Sequence, residues 1–147
     1  MANTRTAVVH QVAGKRFLGE VPDGTRVMID GEDFPRTGMR PMELVLNALG
    51  ACAAYDIVEM IRKRRIELKS YRIELEGLRA DSTPAYYTKI RMKHVFDAPG
   101  LDRAMAERFV DLGVNKYCSV GSSLKAEMEF EVVLEHEADE EETLAVG

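Results

Sequence analysis

Two cysteines, Cys52 and Cys118, are the residues of this chain best suited by type to chemistry. A thiol becomes a nucleophile only as the thiolate. Free cysteine is also among the most buried residue types and is commonly inert, so residue type alone leaves both readings open. Moving a thiol pKa from about 8.5 to about 6 takes roughly 3.4 kcal/mol of differential stabilisation. One guanidinium about 4 Å away supplies up to roughly 4 kcal/mol at an effective dielectric of 20. A single well-placed arginine is therefore enough. Arg36 and Arg40 stand in the segment ahead of Cys52. Arg40 would lie about 18 Å from Cys52 along a straight helix, so it serves only by folding back or by crossing from a second subunit.

The other reactive types form no constellation. His10, His94 and His136 are far apart and lack the H-x-x-x-H spacing of a helical metal site, and the cysteines form no C-x-x-C pair. No metal is expected. There is no G-x-S-x-G elbow, no phosphate-binding loop and no dinucleotide fingerprint, so no cofactor is expected either. Ser119, Ser122 and Ser123 read as capping or loop hydroxyls rather than nucleophiles.

The elements that position these residues must come from one domain of ordinary size. The chain has 147 residues, 46% hydrophobic and 31% charged, with a formal net charge of −5. That balance is globular, and it argues against a nucleic-acid partner, which calls for a basic face. Met1 to Gly14 is polar and carries no apolar core of signal-peptide length. The most hydrophobic stretch, Leu44 to Ile61, is interrupted by Asn47, Asp56 and Glu59. Its charge-free part of about 12 residues falls short of the about 20 that a bilayer span needs. It reads as a buried core helix, with no membrane partner and a cytoplasmic location.

Short strands are predicted at Ala7–Val9, Arg16–Leu18 and Thr25–Ile29, separated by the turn signals Gly14-Lys15 and Pro22-Asp23-Gly24. Pro41 suits the first position of a long helix, and Glu43 then falls in its first turn as a cap. The helix is expected to run to Arg65, with the basic cluster 62–65 at the negative end of its dipole. Strict alternation marks Tyr71–Glu76 and Tyr87–Phe96 as an antiparallel pair. A second helix is expected over Leu101–Leu112 with Gly113 as its stop, then a short helical segment from Ser119 to Leu124 and a last strand, Ala126–Glu135. The order βββ-α-ββ-α-β predicts an α+β domain over 1–137, a mostly antiparallel sheet around one buried helix. An acidic, mobile tail is expected over 138–147.

Two stretches then resemble a known family. Pro41-Met42-Glu43-Leu44-Val45-Leu46-Asn47-Ala48-Leu49-Gly50-Ala51-Cys52, continuing to Asp56-Ile57-Val58, is similar to the central-helix motif of the OsmC/Ohr superfamily. Lys116-Tyr117-Cys118-Ser119-Val120 with Leu124-Lys125 is similar to its second cysteine motif. Element order and spacing fit from Val8 to Leu134, and the Pro-Met-Glu-Leu start resembles the YhfA-like branch. The resemblance implies an OsmC-like fold and an intertwined homodimer with active sites at the subunit interface. It also implies that Cys52 attacks a hydroperoxide and becomes a sulfenic acid, that Cys118 condenses with it to a disulfide, and that a dithiol reductant, such as a lipoyl-type one, restores both thiols. Arg36 would be the thiolate-activating cation, and Met42, Leu49 and Tyr55 would line a small apolar pocket.

One position departs from the pattern. Peroxidase members carry a glutamate directly after the helix-start proline, paired with the activating arginine, and here that position is Met42. Glu43 is one residue on, about 100° around the helix. The expectation is therefore a retained thiol pair with an altered activating circuit. Three readings follow. The first is a thiol-dependent peroxide reductase. The alternative, favoured by the apolar Met42, is a non-catalytic dimer that binds a small apolar ligand. The third is a stress-related structural dimer with inert cysteines.

Overall fold

The computed structural model describes residues 3–137, so the tail expected over 138–147 lies outside the described residues. The chain divides into two compact units, Met1–Val45 and Leu46–Gly147.

The first unit is built on strands β1 (Val8–Ala13), β2 (Arg16–Glu20) and β3 (Arg26–Asp30), paired antiparallel in that order. Gly14 turns β1 into β2 at φ +56°, a left-handed conformation that glycine adopts without steric cost. The next turn is closed by the Asp23 carboxylate, which accepts from the Thr25 amide at 2.9 Å. Every residue of β1 is exposed, including Val8 (54%), Val9 (61%) and Val12 (56%). After β3, residues 31–40 form a loop held back along the sheet. The Asp30 amide donates to the Met39 carbonyl at 3.0 Å, and Ile29 bridges Met39 in parallel. Gly38 permits this approach, because a Cβ there would lie 2.3 Å from the Met28 carbonyl oxygen.

Helix α1 begins at Pro41, as the missing proline N–H allows, and runs unbroken to Lys63. Within the second unit it buries Leu49, Gly50, Ala53, Ile57 and Ile61. By length and hydropathy it would pass for a membrane span, yet this face is a packed core face. The opposite stripe, Ala48, Ala51, Tyr55 and Val58, is exposed, with Tyr55 at 76%. The all-round burial expected from the sequence thus holds for one face of the helix in the single chain.

Strands β4 (Ser70–Arg79) and β5 (Tyr87–Asp97) pair antiparallel, Leu75 opposite Met92 and Ile73 opposite His94. Strand β6 (Glu127–Leu134) then pairs with β5 in parallel, Val132 beside His94. The fold is α+β with two three-stranded sheets, rather than one mostly antiparallel sheet. A parallel return needs a crossover, and residues 98–126 supply it. Helix α2 (Arg103–Asp111) is capped by the Asp102 carboxylate, which accepts from the Met105 amide at 2.8 Å. It passes without a break into a π-helical segment, Leu112–Tyr117, followed by the single turn α3, Ser119–Ser122. Gly113 is thus no helix stop. A Cβ on it would meet Ile57 Cγ1 at 2.6 Å and the Ala53 carbonyl at 2.9 Å, so the residue is small because the crossover lies directly on α1. Gly50 does the same on the sheet side, where a Cβ would stand 3.0 Å from Leu75.

Candidate functional site

The close seat of the crossover on α1 makes the two cysteines neighbours, though not at disulfide distance. Both are unbonded thiols, Cys52 half-buried and Cys118 buried at 4% exposure. Cys118 ends the π-helical segment in extended backbone (φ −73°, ψ 104°) and caps α3, its sulfur accepting from the Gly121 amide at 3.3 Å. Its S–H points to the Leu49 carbonyl at 3.9 Å. Carbonyls of an α-helix point toward its C-terminus, so Cys118 lies against the turn of α1 that carries Cys52. The Cys118 thiol is held above its ordinary pKa, first by burial and then by the neighbouring Cys52 thiol, with the Gly121 amide acting the other way. Cys118 is accordingly a protonated, interior thiol next to a more accessible one.

Leu49, expected in a pocket lining, is interior at 1% exposure and contributes its carbonyl to Cys118. Tyr55 is on the exposed stripe of α1, and Met42 is half-buried in the first unit. Sequence reasoning did not single out Leu49 O or the Gly121 amide as the groups that seat the Cys118 sulfur. Backbone groups leave no residue-type signal, so none could have been read.

In the first unit, Arg36 donates through Nε to the Gly38 carbonyl at 3.1 Å and through Nη2 to both carboxylate oxygens of Glu43. Arg40 is engaged by Asp33 at 2.9 Å, with Glu43 at 3.9 Å. Glu43 therefore does more than cap the first turn of α1. It supplies a carboxylate partner for Arg36 from the position after Met42. Both bonds to Glu43 leave the one Nη2 nitrogen, a charge-assisted pair, while Nε is taken by Gly38. The first unit thus contains an arginine–glutamate pair, Arg36 with Glu43, one residue beyond the position that Met42 occupies.

No group of three or more His, Cys, Asp or Glu suited to a metal occurs among the described residues. His94 is fully buried on the core face of β5, where its Nδ1 and the Tyr71 hydroxyl share a hydrogen bond at 2.6 Å. Nε2 has no hydrogen-bond partner among the described residues. Burial lowers the His94 pKa to about 4. His136 receives the Ala98 amide at 3.5 Å and reaches the Leu101 carbonyl at 3.1 Å, pinning the entry of the crossover.

Comparisons with known proteins bear on the family and the fold. Residues 31–133 match the family model described as OsmC-like protein. The chain is 34% identical over 119 residues to Protein YhfA of Escherichia coli K12, covering 81% of this chain and 88% of that protein. Among solved structures, an OsmC-like protein from Mycoplasma pneumoniae superposes with a TM-score of 0.76 at 15% identity, over 91% of this chain and 99% of that one. An organic hydroperoxide resistance protein OsmC from Legionella pneumophila, also described as a predicted redox protein, gives 0.64 at 17% identity over 91% and 99%. At such identities the two structures speak for the fold alone.

Proposed function

The chain belongs to the OsmC-like protein family, and on that premise we propose that it is a thiol-dependent reductase of organic hydroperoxides. The observation that carries the proposal is the seating of Cys118 beside Cys52, one thiol protonated and interior and the other more accessible. The Cys52 thiolate attacks the terminal oxygen of ROOH. The O–O bond breaks, the alkoxide leaves as ROH with a proton, and Cys52 becomes a sulfenic acid. Cys118 loses its proton and attacks the Cys52 sulfur. Water leaves, and the Cys52–Cys118 disulfide forms. A dithiol, of lipoyl type, then returns two electrons and two protons and is itself oxidised to a disulfide.

Assignment of the roles follows from access and ionisation. A peroxide must reach the first thiol, and Cys118 is both buried and held protonated. The second step asks only that a neighbouring thiol reach a sulfenic sulfur. Arg36 is the cation assigned to the Cys52 thiolate. Its carboxylate partner Glu43 weighs against the non-catalytic alternative that Met42 suggested. Two thiols that must be reduced in each cycle fit a reducing compartment, so the assigned location is the cytoplasm.

A homodimer is part of the same reading. Exposed valines along β1 and the Ala48, Ala51, Tyr55, Val58 stripe of α1 support it, because such surfaces are ordinarily covered in a stable protein. The experiment is a turnover assay with cumene hydroperoxide and a dihydrolipoyl dithiol. Wild type is expected to consume peroxide catalytically and Cys52→Ser to consume none. Equal consumption by the two would refute the assignment.

A further inference from the structure

Asp30, at the end of β3, has a fully buried carboxylate that the proposed reaction does not use. All its bonds go to the loop that carries Arg36 or to the residue that braces that loop. Oδ2 accepts from the Thr37 hydroxyl at 2.6 Å, the Thr37 amide at 2.8 Å and Arg16 Nε at 3.1 Å. Oδ1 accepts from the Glu32 amide at 2.8 Å. Arg16, so held, uses Nη2 to grip the Pro35 carbonyl at 2.6 Å. Pro35 and Thr37 are the two neighbours of Arg36 in the chain. Both sides of Arg36 are thus fastened to one buried carboxylate, one directly and one through Arg16.

A buried ionised carboxylate is costly unless its oxygens are satisfied. Here four donors satisfy it, and the Thr37 hydroxyl, first among them, holds the Asp30 pKa well below the usual carboxylate range. A hub of this kind has a single arrangement, since losing one donor leaves a charge unsatisfied. The Arg36 guanidinium therefore starts from a fixed backbone, and its remaining freedom is removed by the Gly38 carbonyl and Glu43.

We infer that Asp30 is a positioning residue for Arg36, acting with Thr37 and Arg16 and touching no reacting atom. The inference rests on the reading of Arg36 as the cation that acts on the Cys52 thiolate. A guanidinium moved from about 4 Å to about 5 Å would lose roughly a fifth of its Coulomb effect, and more as the displacement grows.

The test uses the full chain in a Cys118→Ser background, so that Cys52 alone is alkylated, and follows the alkylation rate against pH alongside the rate of oxidation by cumene hydroperoxide. Arg36→Ala is expected to slow both alkylation near neutral pH and oxidation about tenfold or more. Asp30→Asn and Thr37→Val are expected to move both readouts the same way by a smaller factor. In an Arg36→Ala background Thr37→Val should add nothing, which a merely structural role would not produce. Thr37→Val removes one donor and leaves the carboxylate in place, so it carries the test if Asp30→Asn fails to fold. A folded Thr37→Val protein with unchanged pH profile and rate, beside an affected Arg36→Ala, would overturn the inference. Variants that shift the pH profile in a protein that no peroxide oxidises would support the positioning role and refute the peroxidase reading.

Discussion

At the scale of single residues, the two cysteines differ in what surrounds them, and that difference divides their roles. Cys118 is interior, hydrogen-bonded to Gly121 and Leu49, and held protonated by burial. Cys118→Ser is expected to undergo one oxidation at Cys52 and then stall as the sulfenic acid, detectable as a gain of 16 Da by intact-protein mass measurement, on the order of one oxygen per chain. His94 makes a separate prediction. Its pKa is lowered from 6.5 to about 4 because the folded protein buries the neutral ring. The unfolded chain takes up a proton as pH falls below about 6.5, and the folded chain does so only near 4. Stability should therefore decline between pH 6.5 and 4 and change little above that window. Denaturant unfolding of wild type and His94→Phe across the window checks this. The variant should flatten the decline while costing about 1 kcal/mol at neutral pH, where Tyr71 loses its hydrogen-bond partner.

At the scale of elements, the close approach of the crossover to α1 is what makes a thiol pair. Gly113 lies on Ile57 and the Ala53 carbonyl, one residue from Cys52. Gly113→Ala is expected to destabilise the fold by about 1–3 kcal/mol, as forced overpacking does, and to slow disulfide formation by pushing Cys118 off the helix. Thermal unfolding and the rate of thiol loss report the two effects independently. Much at this scale was legible in the sequence. Pro41 marked the first residue of α1, and period-two alternation marked β4 and β5 as partners. The direction of β6 was not legible, because alternation reports which face is buried and not which way a strand runs. Gly113 was misread as a stop for a similar reason. A glycine required by a neighbouring backbone and a glycine that ends a helix are the same letter. The π-helical segment between α2 and Cys118 has no compositional signature either.

At the scale of the molecule, the family resemblance read from Pro41–Cys52 and Lys116–Cys118 is matched by the family model and by the Escherichia coli relative. The pairing of Arg36 with Glu43 was not visible from the motif, since one residue of displacement on a helix ordinarily turns a side chain to another face. Arg36 reaches Glu43 because the loop bearing it is fixed independently, by Asp30. The exposed stripe of α1 leads to a prediction about assembly. Tyr55→Glu with Val58→Asp places charge on a surface that is 76% and 40% exposed at those residues in the single chain. Sedimentation or light scattering should find wild type as a dimer and the double variant as a folded monomer. An unchanged mass for the double variant would place the dimer contact elsewhere.

The central claim is that Cys52 and Cys118 form a peroxide-oxidised pair, and one measurement addresses it directly. Reduced protein is mixed with one equivalent of cumene hydroperoxide, and free thiols are counted over time in wild type, Cys52→Ser and Cys118→Ser. The account predicts the loss of both thiols within seconds in wild type and retention of the remaining thiol in Cys52→Ser. Two thiols still free after minutes in the wild type would contradict it.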